Sequence, residues 1–150
     1  MNEFEVEQKS KFITTDNAKT IKKCCSIASH YNHSTNTKEK LTKLQNENER
    51  PNHSIIQQVP TRWNSIYLMV DRIVENFEFL NIIFANEPKF KHLQLKSEEI
   101  EVLEASLEVL RPFYDMTCEV SSEKDATLSL IIPIITKLNK SIEPNSEMKL

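Results

Sequence analysis

Three groups of residues in this sequence have the types and spacing for chemistry. The first is Arg62-Trp63, a cation beside the single tryptophan, inside Val59-Pro60-Thr61-Arg62-Trp63-Asn64-Ser65. An indole face can stack on a nucleobase while a guanidinium meets a phosphate. On physics alone the pair more readily suits a core or boundary aromatic at a helix start, and residue types do not settle between the two readings. The second group is Cys24, Cys25, His30 and His33. Zinc-binding cysteines are normally separated by roughly two to four residues. These two are adjacent, so only one could share a site with the histidines, and no metal site is expected. The third group is neighbouring carboxylates, Glu98 with Glu99 and Glu101 with Glu104. A catalytic pair needs burial or an opposing partner to separate its pKa values, and these lie in the pattern of a solvated helix face. A cysteine nucleophile needs a base on another element, and no turn presents a hydroxyl as one. The sequence therefore contains no self-contained active site; no catalytic residue and no cofactor are expected.

These side chains need a frame, and the composition says which kind. The chain has 150 residues and no glycine, where ordinary usage would supply about ten. Glycine reaches positive φ without steric cost, so tight hairpins and phosphate-cradling loops are disfavoured. Helices joined by polar loops remain. Hydrophobic residues make up 39% and charged residues 27%, enough for a modest core in one domain. The net charge of -3 is unevenly spread. Lys9 to Arg62 holds ten Lys/Arg against four Asp/Glu, and Trp63 onward holds nine against fifteen. A basic N-terminal third, suited to a polyanion or to plain solvation, thus precedes an acidic remainder. Three cysteines form no disulfide framework, which fits a reducing compartment. No run of about twenty apolar residues occurs, so no membrane span is expected. The polar, acidic stretch from Met1 to Lys11 does not read as a secretory signal.

Residues 1–15 lack periodicity and are expected to be frayed or disordered. Asp16 or Asn17 can cap a first helix whose Ile21, Cys24, Cys25, Ala28 and Tyr31 share a face. After a polar break from Asn32 to Thr35, Asn36 and Glu39 have capping-box spacing for a short lysine-rich helix. Residues 46–58 read as a flexible loop, long enough to be functional. Thr61 then caps the longest pattern. Apolar residues at Ile66, Val70, Ile73, Phe77, Leu80 and Phe84 alternate steps of four and three, one stripe on a single helix reaching about Ala85. Asn86-Glu87-Pro88 stops it. Ser97 caps a fourth helix with Glu98 and Glu99 in its first turn, kinked at Pro112 and continuing past Met116 and Val120. Ser121 to Asp125 is a turn, and Thr127 or Ser129 opens a fifth helix through Ile142. Pro133 argues against a strand over Leu128 to Ile135. The fold class is all-α, about five helices, with residues 16–150 forming one helical segment.

The run Gln58-Val59-Pro60-Thr61-Arg62-Trp63-Asn64-Ser65-Ile66-Tyr67-Leu68-Met69 resembles the signature segment of hAT-superfamily transposases and their domesticated relatives, the zinc-finger BED-type proteins. The flanks agree: His33-Ser34-Thr35 with Lys38-Glu39-Lys40-Leu41 upstream, Leu110-Arg111-Pro112-Phe113-Tyr114 and Thr127-Leu128-Ser129-Leu130-Ile131-Ile132-Pro133 downstream. The resemblance spans about residues 16 to 142. It implies part of the helical insertion, and its upstream flank, of an RNase H-like transposase domain. In that family three metal-binding carboxylates cleave and join strands, two before the insertion and one after it. The resemblance places the Cys-x-x-His motif upstream of Asp16, and the last carboxylate and a dimerisation segment beyond Leu150; no BED zinc finger is present. It implies that Trp63 stacks on a flipped base at a hairpin-forming transposon end and that Arg62 contacts the backbone.

The reading that results is a truncated or domesticated hAT-type transposase segment: nuclear, DNA-associated, without its catalytic triad and not an enzyme as it stands. Two alternatives come from other classes. One is a helical protein-interaction or self-associating module whose Ile66 to Phe84 stripe packs on a partner. The other is a degenerate transposon remnant without activity.

Overall fold

A computed structural model describes residues 3–59, 62–122, 133, 135, 136 and 139. All regular structure among them is helical: α1 (Glu3–His33), α2 (Thr35–Glu47), α3 (Trp63–Glu75), α4 (Phe77–Ala85), a 3-10 segment (Pro88–Leu93) and α5 (Ser97–Ser122). The all-α expectation holds. The chain divides into two compact units, residues 1–105 and 106–150.

In the first unit, α1 packs on α2, α3 and the 3-10 segment, while α4 packs on α2, α3 and that same segment. Each helix presents one apolar stripe to a shared core. Cys24, Ile27 and Ala28 of α1, Leu41 of α2, Met69 and Ile73 of α3 and Leu80 and Phe84 of α4 are all within 1% of fully buried. Leu93, Leu95, Ile100 and Leu103 close it from the following segment. In the second unit α5 runs through Pro112 to Ser122, as the sequence predicts, burying Met116 and leaving Val109 exposed.

Several boundaries differ from the sequence reading, each for a physical reason. The backbone is helical from Glu3, not from Asp16; residues 3–33 contain neither Pro nor Gly, and Glu3, Glu5 and Glu7 suit the positive end of a helix dipole. The break before α2 is Ser34 alone. Its extended backbone (φ -112°, ψ 105°) lets Oγ accept from Thr37 N at 3.2 Å, so Ser34, not Asn36, is the N-cap. The long stripe helix is two helices. Asn76 interrupts it, donating from Nδ2 to Arg72 O (2.9 Å) and accepting at Oδ1 from Gln45 Nε2 (2.8 Å). Both residues are buried, Gln45 to 1% and Asn76 to 3% exposure; the polar pair is satisfied at the one-residue interruption between α3 and α4, where Asn76 leaves helical φ/ψ.

The segment read as a flexible loop is tied down. Gln45 Nε2 also donates to His53 O at 2.9 Å, and Ile55 is buried. Its start is a Schellman ending on α2. Arg50 N donates to Gln45 O and Glu49 N to Asn46 O, with Glu49 at φ 53°. That is the left-handed position glycine usually fills, and a chain without glycine fills it with glutamate. Lys96 caps α5, with Lys96 N donating to Glu99 Oε2 (2.9 Å) and Ser97 standing one residue inside. The 3-10 segment after Glu87 has no counterpart in the sequence reading. Ser121 and Ser122, read as the start of a turn, are the last residues of α5, and Thr61 and 123–125 lie outside the described residues. The N-cap of α3 is Arg62 rather than Thr61, because the helix begins at Trp63 and Arg62 holds the extended backbone before it. Of the fifth helix expected through Ile142, only 133, 135, 136 and 139 are described, and they are helical.

Candidate nucleic-acid interface

The Arg62-Trp63 pair stands where α3 begins. Arg62 is the N-cap residue (φ -131°, ψ 102°), exposed, and Trp63 is the first helical residue. Arg62 makes no side-chain cap, and among the described residues no partner holds its guanidinium. The backbone around it is held instead by Ser65. Ser65 Oγ accepts from Val59 N at 2.8 Å and lies 2.6 Å from Arg62 O and 3.0 Å from Val59 O. Its one proton can serve either carbonyl. Arg62 N donates to Val59 O at 2.9 Å and Ser65 N to Arg62 O at 3.0 Å. The result is a closed hook that fixes the backbone from which Arg62 projects. Asn64 Oδ1, in the same turn, is buried without a hydrogen-bond partner.

Upstream, Cys25 Sγ donates to Gln58 Oε1 at 2.9 Å, which ties the hook to α1. Burial raises the Cys25 thiol pKa. It pushes neighbouring Cys24, fully buried, up to about 12. Both thiols are held in the protonated form at neutral pH, so neither is a ready thiolate nucleophile. The histidines of that group are separately occupied. His30 lies between the rings of Phe84 (5.8 Å) and Phe90 (3.8 Å), with Nε2 3.2 Å from Thr37 Oγ1. His33 Nδ1 donates to Ser29 O at 2.7 Å. Among the described residues no cluster of three His, Cys, Asp or Glu is placed to hold a metal.

The carboxylates are separated too. Glu98 is exposed, while Glu99 pairs with Lys23 Nζ at 2.7 Å. Partial burial pushes the Glu99 carboxyl up, but bonds from Lys23 and the Lys96 N–H outweigh it, and its pKa lies below the ordinary value. Sequence reasoning missed a second ionic cluster, His53–Arg72–Glu75. His53 Nδ1 lies 2.7 Å from Glu75 Oε1 and from Arg72 Nη1, and Arg72 Nη1 donates to Glu75 Oε2 at 2.8 Å. Burial opposes ionisation of Glu75, yet the Arg72 and His53 hydrogen bonds hold its pKa down. Ser65 and Cys25–Gln58 were missed as well. No local pattern announces a contact between residues 33 positions apart. No described helix is long and apolar enough to cross a membrane.

Residues 13–110 match the model of the ZBED1 RNase-like helical domain. The chain belongs to that family. Human zinc finger BED domain-containing protein 4 is 32% identical over 117 residues, covering 78% of this chain and 10% of that protein. A putative transcriptional regulator, tpeD of Talaromyces stipitatus, is 30% identical over 132 residues, covering 85% of this chain and 15% of that protein. The chain thus spans a small part of the length of the curated relatives it matches. No solved structure matches. The resemblance to BED-type, hAT-derived proteins read from the Thr-Arg-Trp-Asn-Ser block is borne out. In this ZBED1-type helical domain the hook, the Asn76 break and α1 from residue 13 onward fall inside the matched residues.

Proposed function

We propose that this ZBED1-type helical domain is a DNA-contacting module of a nuclear, transposase-derived protein and does no strand chemistry itself. The observation that carries the reading is the hook: Ser65 fixes the backbone beneath an exposed arginine that no described residue engages. A cation presented from a hydrogen-bonded turn and left unpaired suits a ligand with negative charge. Trp63, next in sequence and at the mouth of α3, supplies the aromatic face for an unpaired base. The printed names of the relatives, a BED zinc finger protein and a putative transcriptional regulator, agree with DNA association. A protein-docking role for the Ile66 to Phe84 stripe is disfavoured, because Val70, Ile73, Leu80 and Phe84 are buried in the chain's own core.

Trp63→Ala should weaken binding to hairpin-ended DNA more than to plain duplex, whereas Arg62→Ala should weaken both alike, since phosphates are common to both. Fluorescence anisotropy with the two substrates measures this. Equal losses for Trp63→Ala on both would remove the stacking role.

A further inference from the structure

The solvent face of α1 carries charge that the hook does not use. From Asn17 to Lys38 the sequence contains no carboxylate, in a chain whose net charge is -3. Lys19, Lys22, Ser26 and His33 are all exposed on α1. At about 100° per residue these four positions fall within roughly 60° of arc, and 14 residues of helix extend about 21 Å. Lys23, on the flank, is neutralised by Glu99 at 2.7 Å. Among the described residues Lys19 and Lys22 have no such partner. Cys25, which holds Gln58 at 2.9 Å, lies one turn beyond Lys22 on the other flank, and α1 packs directly on α3. The hook, at the start of α3, and the charged strip on α1 are therefore joined through two helices that pack on each other.

We propose that this strip of α1, from Lys19 to His33, is a second contact track for the duplex DNA backbone, set beside the Arg62 hook. The proposal rests on reading the hook as a DNA contact and extends it from one phosphate to several. The charge of Lys19 and Lys22 is complementary to phosphates, and the Ser26 hydroxyl, which donates to Lys22 O at 3.1 Å in the free chain, can turn its one proton to a phosphate oxygen. An acidic protein is the weaker occupant. Protein interfaces are anchored by buried aromatic or apolar side chains, and no exposed large hydrophobic residue stands on the track. Within the track Lys19 and Lys22 stand one helical turn apart with no carboxylate between Asn17 and Lys38, and Glu99 has already neutralised Lys23 beside them.

Each phosphate contact contributes about 0.9 to the slope of log K against log salt concentration on duplex DNA. The test measures that slope by anisotropy with a plain duplex for the full chain and for Lys19→Gln, Lys22→Gln and Lys89→Gln. Lys89 is exposed on the 3-10 segment, outside the Lys19–His33 strip, and serves as the control. Lys19→Gln and Lys22→Gln should each lower the slope by about 0.9 and weaken binding similarly for any sequence, with Lys89→Gln unchanged. Slopes that stay at the wild-type value in both α1 variants, while Arg62→Ala still lowers it, would overturn the track and leave the hook standing. Wild-type chain that fails to bind duplex at low salt overturns the hook reading and the track together.

Discussion

Removing the Ser65 hydroxyl tests the hook at its fastening. In Ser65→Ala, Val59 N loses its 2.8 Å acceptor, and Arg62 O and Val59 O lose the donor they share. One hydroxyl proton serves one carbonyl at a time, so two hydrogen bonds are lost, each with a net value of about 0.5–1.5 kcal/mol. Ser65 is half-buried, so water recovers part of this, and alanine returns about 0.5 kcal/mol as the better helix former. The expected loss is about 1 kcal/mol. For a unit of about 100 residues that lowers Tm by roughly 4–8 °C, read by circular dichroism at 222 nm. Because the freed segment must be ordered again on binding, DNA affinity should fall by about fivefold at most, from the same 1 kcal/mol. Ser65→Thr keeps the hydroxyl and should stay close to wild type in both assays. If Ser65→Ala melts with wild type and binds hairpin DNA equally well, the hook does not position Arg62.

Three further outcomes follow from the frame. Asn76→Ala strips a buried acceptor from Gln45 and a donor from Arg72 O, and should cost about 2 kcal/mol, read as a lower urea midpoint with unchanged slope. Glu49→Gly relieves a left-handed residue at φ 53°. The strain is about 1–2 kcal/mol and the added chain entropy about 0.4–1, so this variant should be more stable by about 0.5–1 kcal/mol; a less stable variant refutes the reading. Glu75 and Glu99 have folded-state pKa values below their ordinary 4.5. Depressed carboxyl pKa values contribute stability that is complete above the unfolded value and is lost as pH falls through the folded ones. Thermal melts taken downward from about pH 6 should therefore show stability falling below the ordinary carboxylate range. Glu99→Gln should flatten part of that fall, and an unchanged profile would mean the Lys23 pair adds nothing.

The Thr-Arg-Trp-Asn-Ser block was legible as the start of α3, as was the apolar face of α1 at Cys24, Ala28 and Tyr31. These follow from short-range periodicity, which one strand of sequence contains. The division at Asn76 was not legible. Its stripe keeps helical spacing on both sides, and the cause is Gln45, 31 positions away on another helix. The same holds for the hook. A serine at the fifth place of the Thr-Arg-Trp-Asn-Ser block reads as an ordinary early-helix residue until Val59 bonds to it. The absence of glycine correctly argued for helices and polar loops, yet it could not say which residue would take the left-handed turn. Glu49 does. The residues of the cysteine–histidine and carboxylate groups have partners that spacing did not announce: Cys24 is buried, the Phe90 ring lies tilted against His30, and Lys23 holds Glu99.

The measurement that bears most directly on the central claim is anisotropy binding of the full chain to hairpin-ended and plain duplex DNA across a salt series. DNA association predicts binding to both that falls steeply with salt, tighter for the hairpin because a stacked base adds about 1–3 kcal/mol. No binding to either substrate at low salt would contradict the claim.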